Sequence, residues 1–170
     1  NASKYGFEVE EIPRQDVDHV GVSSTKIRKA LEEGDIETAT HFLGKPYSLS
    51  GRVVAGDKLG RLMGYPTANI EIDTKYKLIP MDGIYAVTVA HEHATYGGML
   101  YIGNRPTING TKQNIEVNIF DFKKDIYGES LTINIHKLTR GDRKFSDLEA
   151  LKEQLKLDEI DAKAILKNIR

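Results

Sequence analysis

Pro66-Thr67-Ala68-Asn69 sets a hydroxyl oxygen and an amide oxygen two positions apart. In an extended segment, residues two apart point the same way, so Thr67 and Asn69 present both oxygens together. Hard cations such as Mg²⁺ take oxygen ligands and commonly arrive with a nucleotide's phosphates. The run leading in, from Gly51, reads as a strand and then a bend carrying Gly56, Gly60 and Gly64. Glycine admits positive φ and a close backbone approach to a ligand, and N–H groups on such a bend form an anion-binding nest. The local chemistry is that of a metal–nucleotide site. It is not a Walker A loop: Gly51 and Gly56 have the spacing, but Asp57 stands where that motif needs lysine. Read alone, the bend also fits a structural hairpin in which Thr67 and Asn69 satisfy local backbone groups.

A second candidate is Glu116, which alternation places on the polar face of a strand whose other face is Ile115, Val117 and Ile119. From the residues alone, a solvated carboxylate on a sheet face is the simpler reading. His91 and His93 share one strand face and have the spacing of two metal ligands, yet no third ligand is apparent, and a surface role is expected for both. His19, His41 and His136 have no ligand-like spacing.

The elements that must position these residues fall into two regimes. A short strand from Phe7 to Ile12 precedes Pro13, and a polar loop leads to Ser23 and Ser24. A helix with serine at its cap is predicted over 25–33, and Gly34-Asp35 ends it and caps another over 36–43. Gly44-Lys45-Pro46 then breaks the pattern and marks a domain boundary, giving domains 1–46 and 47–170. From Tyr47 the period becomes two, with about six short strands separated by Gly, Pro, Asn and Asp turns. Such spacing predicts a mostly β fold, a small closed antiparallel barrel. Leu148, Leu151, Leu155 and later Ile160, Ala164 and Ile165 recur at helical spacing, predicting C-terminal helices, the first capped by Ser146 with Glu149 completing a capping box.

Composition excludes several function classes. The 170 residues carry net charge −1 at pI ≈ 6.6, with basic and acidic residues interleaved, so no nucleic-acid partner is expected. No apolar run approaches a membrane span. The absence of cysteine removes disulfides, thiolate catalysis and cysteine-based zinc sites. These features fit a cytoplasmic protein, monomeric or weakly oligomeric.

Five motifs in order raise the odds on the chemistry. Gly56-Asp57-Lys58-Leu59-Gly60-Arg61 followed by Gly64 to Asn69, Pro80 to Ala86, Ile102 to Thr107, Glu116 to Phe122, and Arg140 to Phe145 together resemble the riboflavin kinase family, over about Tyr47 to the C-terminus. The resemblance implies a Greek-key, riboflavin-kinase-like barrel that phosphorylates the riboflavin 5′-hydroxyl from Mg²⁺–ATP, yielding FMN and ADP. It makes Glu116 the catalytic base. It makes Thr67 and Asn69 metal ligands, and Gly56, Lys58, Gly60, Arg61 and Pro66, with Thr67 and Asn69, the ATP-binding set. It puts Arg140, Arg143 and Phe145 beside the flavin, and gives Asn104, Arg105 and Thr107 a mainly structural turn. Many members carry histidine where this chain has Asn118, so no second proton-handling residue is assigned.

Val22-Ser23-Ser24-Thr25-Lys26-Ile27-Arg28 separately resembles the motif that closes the adenylyltransferase domain of bacterial bifunctional FAD synthetases, in which the kinase domain follows directly. The resemblance implies that Ser24, Thr25 and Arg28 meet ATP phosphates there. Residues 1–46 then read as the α/β C-terminal remnant of a Rossmann-like FMN adenylyltransferase domain. The HxGH motif of such a domain is not in the sequence, so this chain is expected to be part of a longer protein and to make no FAD. The rival reading is a non-catalytic flavin- or nucleotide-binding β-barrel.

Overall fold

The computed structural model describes residues 16–17, 20–21, 23–56 and 59–169. The strand expected over Phe7–Ile12, together with His19, Asp57 and Lys58, lies outside them. Two short strands, β1 (Asp16–Val17) and β2 (Val20–Gly21), pair antiparallel ahead of two helices, α1 (Ser24–Glu32) and α2 (Ile36–Leu43). Both helices are started by side chains: Ser23 accepts from the Lys26 N–H at 3.3 Å and Asp35 from the Thr38 N–H at 3.1 Å. Gly44 ends α2 in the left-handed conformation at φ 71°. Ala30, Leu31, Ile36 and Ala39 join the same apolar cluster as the barrel interior, and the Met81 N–H donates to the Leu31 carbonyl at 3.0 Å.

The barrel is made of β3 (Tyr47–Val54), β4 (Ala68–Ile72), β5 (Gly83–His91), β6 (Ala94–Thr107), β7 (Gly110–Ile119) and β8 (Ser130–Gly141). All pairs are antiparallel, in the order β3-β4-β7-β6-β5-β8, and β8 returns to β3 to close it. Ile115, Val117 and Ile119 point inward, as do Tyr85, Val87 and Val89 and, from β8, Leu131, Ile133 and Ile135. Burying one such side chain contributes about 1.5–3 kcal/mol. A one-residue slip of β7 would turn three of them outward, so the register that aims Glu116 away from the interior is strongly held.

The tail differs from the sequence expectation in two respects. It is one helix of 20 residues, α4 (Leu148–Lys167), and its N-cap is Asp147, whose side chain accepts from the Ala150 N–H at 2.8 Å. With Asp147 at the cap, Ser146 falls one residue outside the helix and the predicted box is out of phase. Helix α4 lies across the outside of β5, β6 and β8, where Ala162 and Leu155 meet Ile84, Ala86 and Met99. Strand β5 is therefore buried on both faces for most of its length.

Candidate active site

Glu116 sits in β7 directly opposite Asn69 of β4 on one side and Tyr101 of β6 on the other. Its side chain is 16% exposed. Carboxylate Oε2 accepts from the Thr67 hydroxyl at 3.0 Å. Oε1 accepts from Arg105 Nη2 at 2.7 Å and from Asn114 Nδ2 at 2.8 Å. A solvated surface carboxylate would keep water on most of these lone pairs; this one is gripped by three protein donors. Arg105, given only a turn role from the sequence, reaches the carboxylate because the β6–β7 hairpin runs on past Glu116 and pairs Arg105 with Lys112.

The bend that carries Thr67 is held to the same strand. Asn118, 7% exposed and two residues beyond Glu116, donates its amide to the Pro66 carbonyl at 2.7 Å. Before it comes a single helical turn, α3 (Leu59–Leu62), then Gly64 at φ 81°. Gly56 and Gly60 do not adopt positive φ; close packing is what they serve. A Cβ on Gly56 would fall 1.8 Å from the Asn69 amide, and one on Gly60 would fall 2.2 Å from the Tyr65 carbonyl. Replacing Gly56 with alanine should therefore push the Asn69 amide away; under the role that the riboflavin kinase resemblance implies for Asn69, this raises the KM for Mg²⁺–ATP and leaves riboflavin affinity little changed. Steady-state kinetics at varied ATP checks this, and an unchanged ATP KM would show that the Gly56–Asn69 packing does not serve the nucleotide.

Three of the hollows around these residues bear on the site. One, of about 250 Å³, is lined by apolar Met63, Ile84, Met99 and Leu155 and by polar Glu116, Asn118 and Thr67. A second, of about 190 Å³, is bordered by Arg61, Pro66, Lys123, Lys124 and Asp125 and shares Thr67 with the first. A third, of about 730 Å³, takes in Gly56, Asn69, Lys75, Lys112 and Asn114, and adjoins the first at Arg105. Thr67 and Glu116 are thus brought together, whereas the Asn69 side chain opens into the neighbouring groove.

The end of β8 and the segment after it form the far wall of the first cavity. Arg140 donates Nε and Nη2 to the two carboxylate oxygens of Asp158, each at 2.8 Å, and Gln154 adds a third bond to Asp158 at 3.0 Å. Asp158 is only 1% exposed. The guanidinium of Arg140 is therefore committed to α4, although the residue borders the cavity with Arg143 and Phe145. Both guanidinium groups lie over the Phe145 ring, at 5.4 Å for Arg140 and 4.7 Å for Arg143. Tyr101 donates to Asp142 at 3.3 Å; burial first, then the Asp142 charge, pushes its hydroxyl up to about 12. Tyr65 of the bend donates to Glu159 of α4 at 3.0 Å and is likewise pushed up to about 12, by burial and then by that bond. Both phenols are neutral donors at physiological pH.

Ser24, Thr25 and Arg28 are exposed on α1 and border none of these three hollows. His91 corrects the sequence expectation of a surface role. It is 4% exposed, bonded to Glu129 and edge-on to Phe122 at 5.7 Å. Glu92 and Glu129 bring ligand atoms within 4.8 Å of it and of each other. None of the three borders the cavity around Glu116.

Comparison with known proteins gives a consistent assignment. The flavokinase (riboflavin kinase) family profile matches residues 43–166. The bifunctional riboflavin kinase/FMN adenylyltransferase of Haemophilus influenzae is 40% identical over 164 residues, 96% of this chain and 53% of that protein. The Bacillus subtilis protein of the same name is 39% identical over 165 residues, 95% of this chain and 51% of that one. The chain thus spans about half the length of the curated relatives it matches. A Streptococcus pneumoniae protein solved under the name macrolide-efflux protein superposes with TM-score 0.83 at 37% identity, over 89% of this chain and 50% of that one. The riboflavin kinase of Trypanosoma brucei superposes with TM-score 0.51 at 26% identity, over 73% of this chain and 82% of that one. Among the described residues, no helix is long and apolar enough to cross a membrane. With a closed antiparallel barrel and a family match over most of its length, the chain belongs to the riboflavin kinase family.

Proposed function

We propose that this chain is a riboflavin kinase, converting riboflavin and ATP to FMN and ADP. The observation that carries the reading is Thr67, which is bonded to Glu116 and lines two hollows. One is an apolar-walled cavity with Glu116 on its lining, and the other is bordered by Arg61, Lys123, Lys124 and Asp125. The flavin ring suits the first, with its ribityl chain toward Glu116 and with Arg143 and Phe145 on the far wall. The triphosphate suits the second, beside Arg61 and Pro66 of the bend. An alcohol is a poor nucleophile at neutral pH, and a positioned carboxylate contributes about 10²–10⁴-fold by taking its proton. Glu116 accepts the 5′-hydroxyl proton as that oxygen bonds to the γ-phosphorus and the bond to the ADP oxygen breaks. Thr67, on that second hollow, and Asn69, on the separate groove that also takes in Gly56, offer the neutral oxygen donors that a hard cation takes. A Mg²⁺ ion held there with ATP would neutralise charge on the phosphates.

In this reading residues 47–170 are the kinase unit and residues 1–46 close the adenylyltransferase domain of a longer parent protein. The second activity in the relatives' names is assigned to that parent. Small-molecule substrates and a cysteine-free composition fit action in the cytoplasm as a monomer or weak oligomer. The test is direct: incubation with riboflavin, ATP and Mg²⁺ should give FMN and ADP in equal amounts, resolved by chromatography with fluorescence detection. Riboflavin bound but returned unphosphorylated would instead establish the non-catalytic flavin-binding barrel.

A further inference from the structure

A carboxylate has two oxygens and about four lone-pair sites. In Glu116 they are used unequally. Oε1 carries two donors, Arg105 and Asn114, and its lone pairs are filled. Among the described residues Oε2 carries one, the Thr67 hydroxyl. Both the apolar cavity and the neighbouring hollow are lined by Thr67, and Oε2 is the oxygen bonded to that shared residue. We infer that Glu116 acts through Oε2 alone, and that Arg105, with Asn114, is the positioning residue that reserves that oxygen by filling the other. The inference rests on the riboflavin kinase reading.

The physical need follows from the side chain. The terminal torsion of a glutamate is broad and roughly two-fold, so its own geometry does not distinguish the two oxygens. Only the surrounding donors do. Asn114 lies two residues before Glu116 on the same face of β7 and supplies one donor. Arg105 crosses from β6 and supplies the other through Nη2, a charge-assisted bond that holds Oε1 in place. The Arg105 side chain is 42% exposed and Glu116 16% exposed, so the arginine contributes little to the buried core. With that bond removed, the carboxylate turns about its soft torsion. The remaining lone pair on Oε2 then no longer faces the incoming hydroxyl, while the walls that bind flavin and nucleotide stay in place.

The test separates positioning from folding and from the kinase reading itself. Arg105→Met should lower kcat about 10²-fold, the loss typical when a catalytic group is misplaced by about 1 Å. KM for riboflavin and ATP, and the thermal unfolding midpoint, should remain those of the parent chain. Arg105→Lys should recover part of kcat. Millimolar guanidinium ion added to Arg105→Met should recover part as well, whereas urea, similar in shape but uncharged, should not. If Arg105→Met does not fold, Asn114→Ser removes the other Oε1 donor and should show the same fall in kcat at unchanged KM. A variant that retains the parent kcat overturns the inference, as does a loss that follows the unfolding midpoint or resists rescue by both lysine and guanidinium. A parent chain that makes no FMN would overturn the kinase reading, an outcome distinct from these.

Discussion

Glu116→Gln should lower the turnover of riboflavin to FMN by about 10²–10⁴-fold, the contribution of a positioned general base, while the protein still folds and still binds riboflavin. The amide is isosteric and can satisfy the existing bonds with one adjustment. Its oxygen faces Arg105 and Asn114, the donors that Oε1 now serves. Its NH₂ then faces Thr67, whose hydroxyl turns from donor to acceptor. Every partner remains bonded, so little stability is lost; only the ability to take a proton goes. Single-turnover FMN formation reads the chemistry and quenching of riboflavin fluorescence reads the binding. Turnover at the parent rate would end the role of Glu116 as base, and loss of binding would mean the change had disturbed the cavity instead.

What the sequence disclosed, and what it hid, follows from the range of each interaction. The barrel strands were legible because their signal is local. Ile115, Val117 and Ile119 announce an inward face by alternation, which is enough to aim Glu116 outward. The caps of α1 and α2 are local too, within three residues of the helix start. The grip on Glu116 was not legible, since it depends on hairpin register and on a bend about fifty residues upstream. His91 could have been placed better. It continues the row of Tyr85, Val87 and Val89 at intervals of two, and that row is the barrel interior. Asp158 also left a mark: it falls on the same helical stripe as Leu155 and Ala162, where an acid needs a buried partner. Nothing local, however, said that the partner would be Arg140.

That pair is expected to govern the stability of the far wall of the site. Asp158→Ala leaves the Arg140 guanidinium without its two bonds and Gln154 without its acceptor. Breaking a buried ion pair from one side costs about 3–5 kcal/mol, because the remaining charge is stranded in a low-dielectric setting. Arg140 keeps 18% of its side chain exposed, so water can reach the stranded group and the lower end, about 3 kcal/mol, is expected. In a chain of this size that lowers the unfolding midpoint by about 10 °C. The damage should be directional. Helix α4 and the 140–145 segment loosen together, so KM for riboflavin should rise, whereas KM for ATP, proposed to bind in the hollow beside Arg61 and Lys123, should change less. Combining Arg140→Met with Asp158→Leu should restore much of the midpoint, since replacing both charges with apolar groups removes the desolvation cost along with the attraction. Thermal unfolding followed by circular dichroism decides the matter: a midpoint for Asp158→Ala equal to that of the parent chain would mean that α4 is held by its apolar face alone, with the ion pair adding nothing.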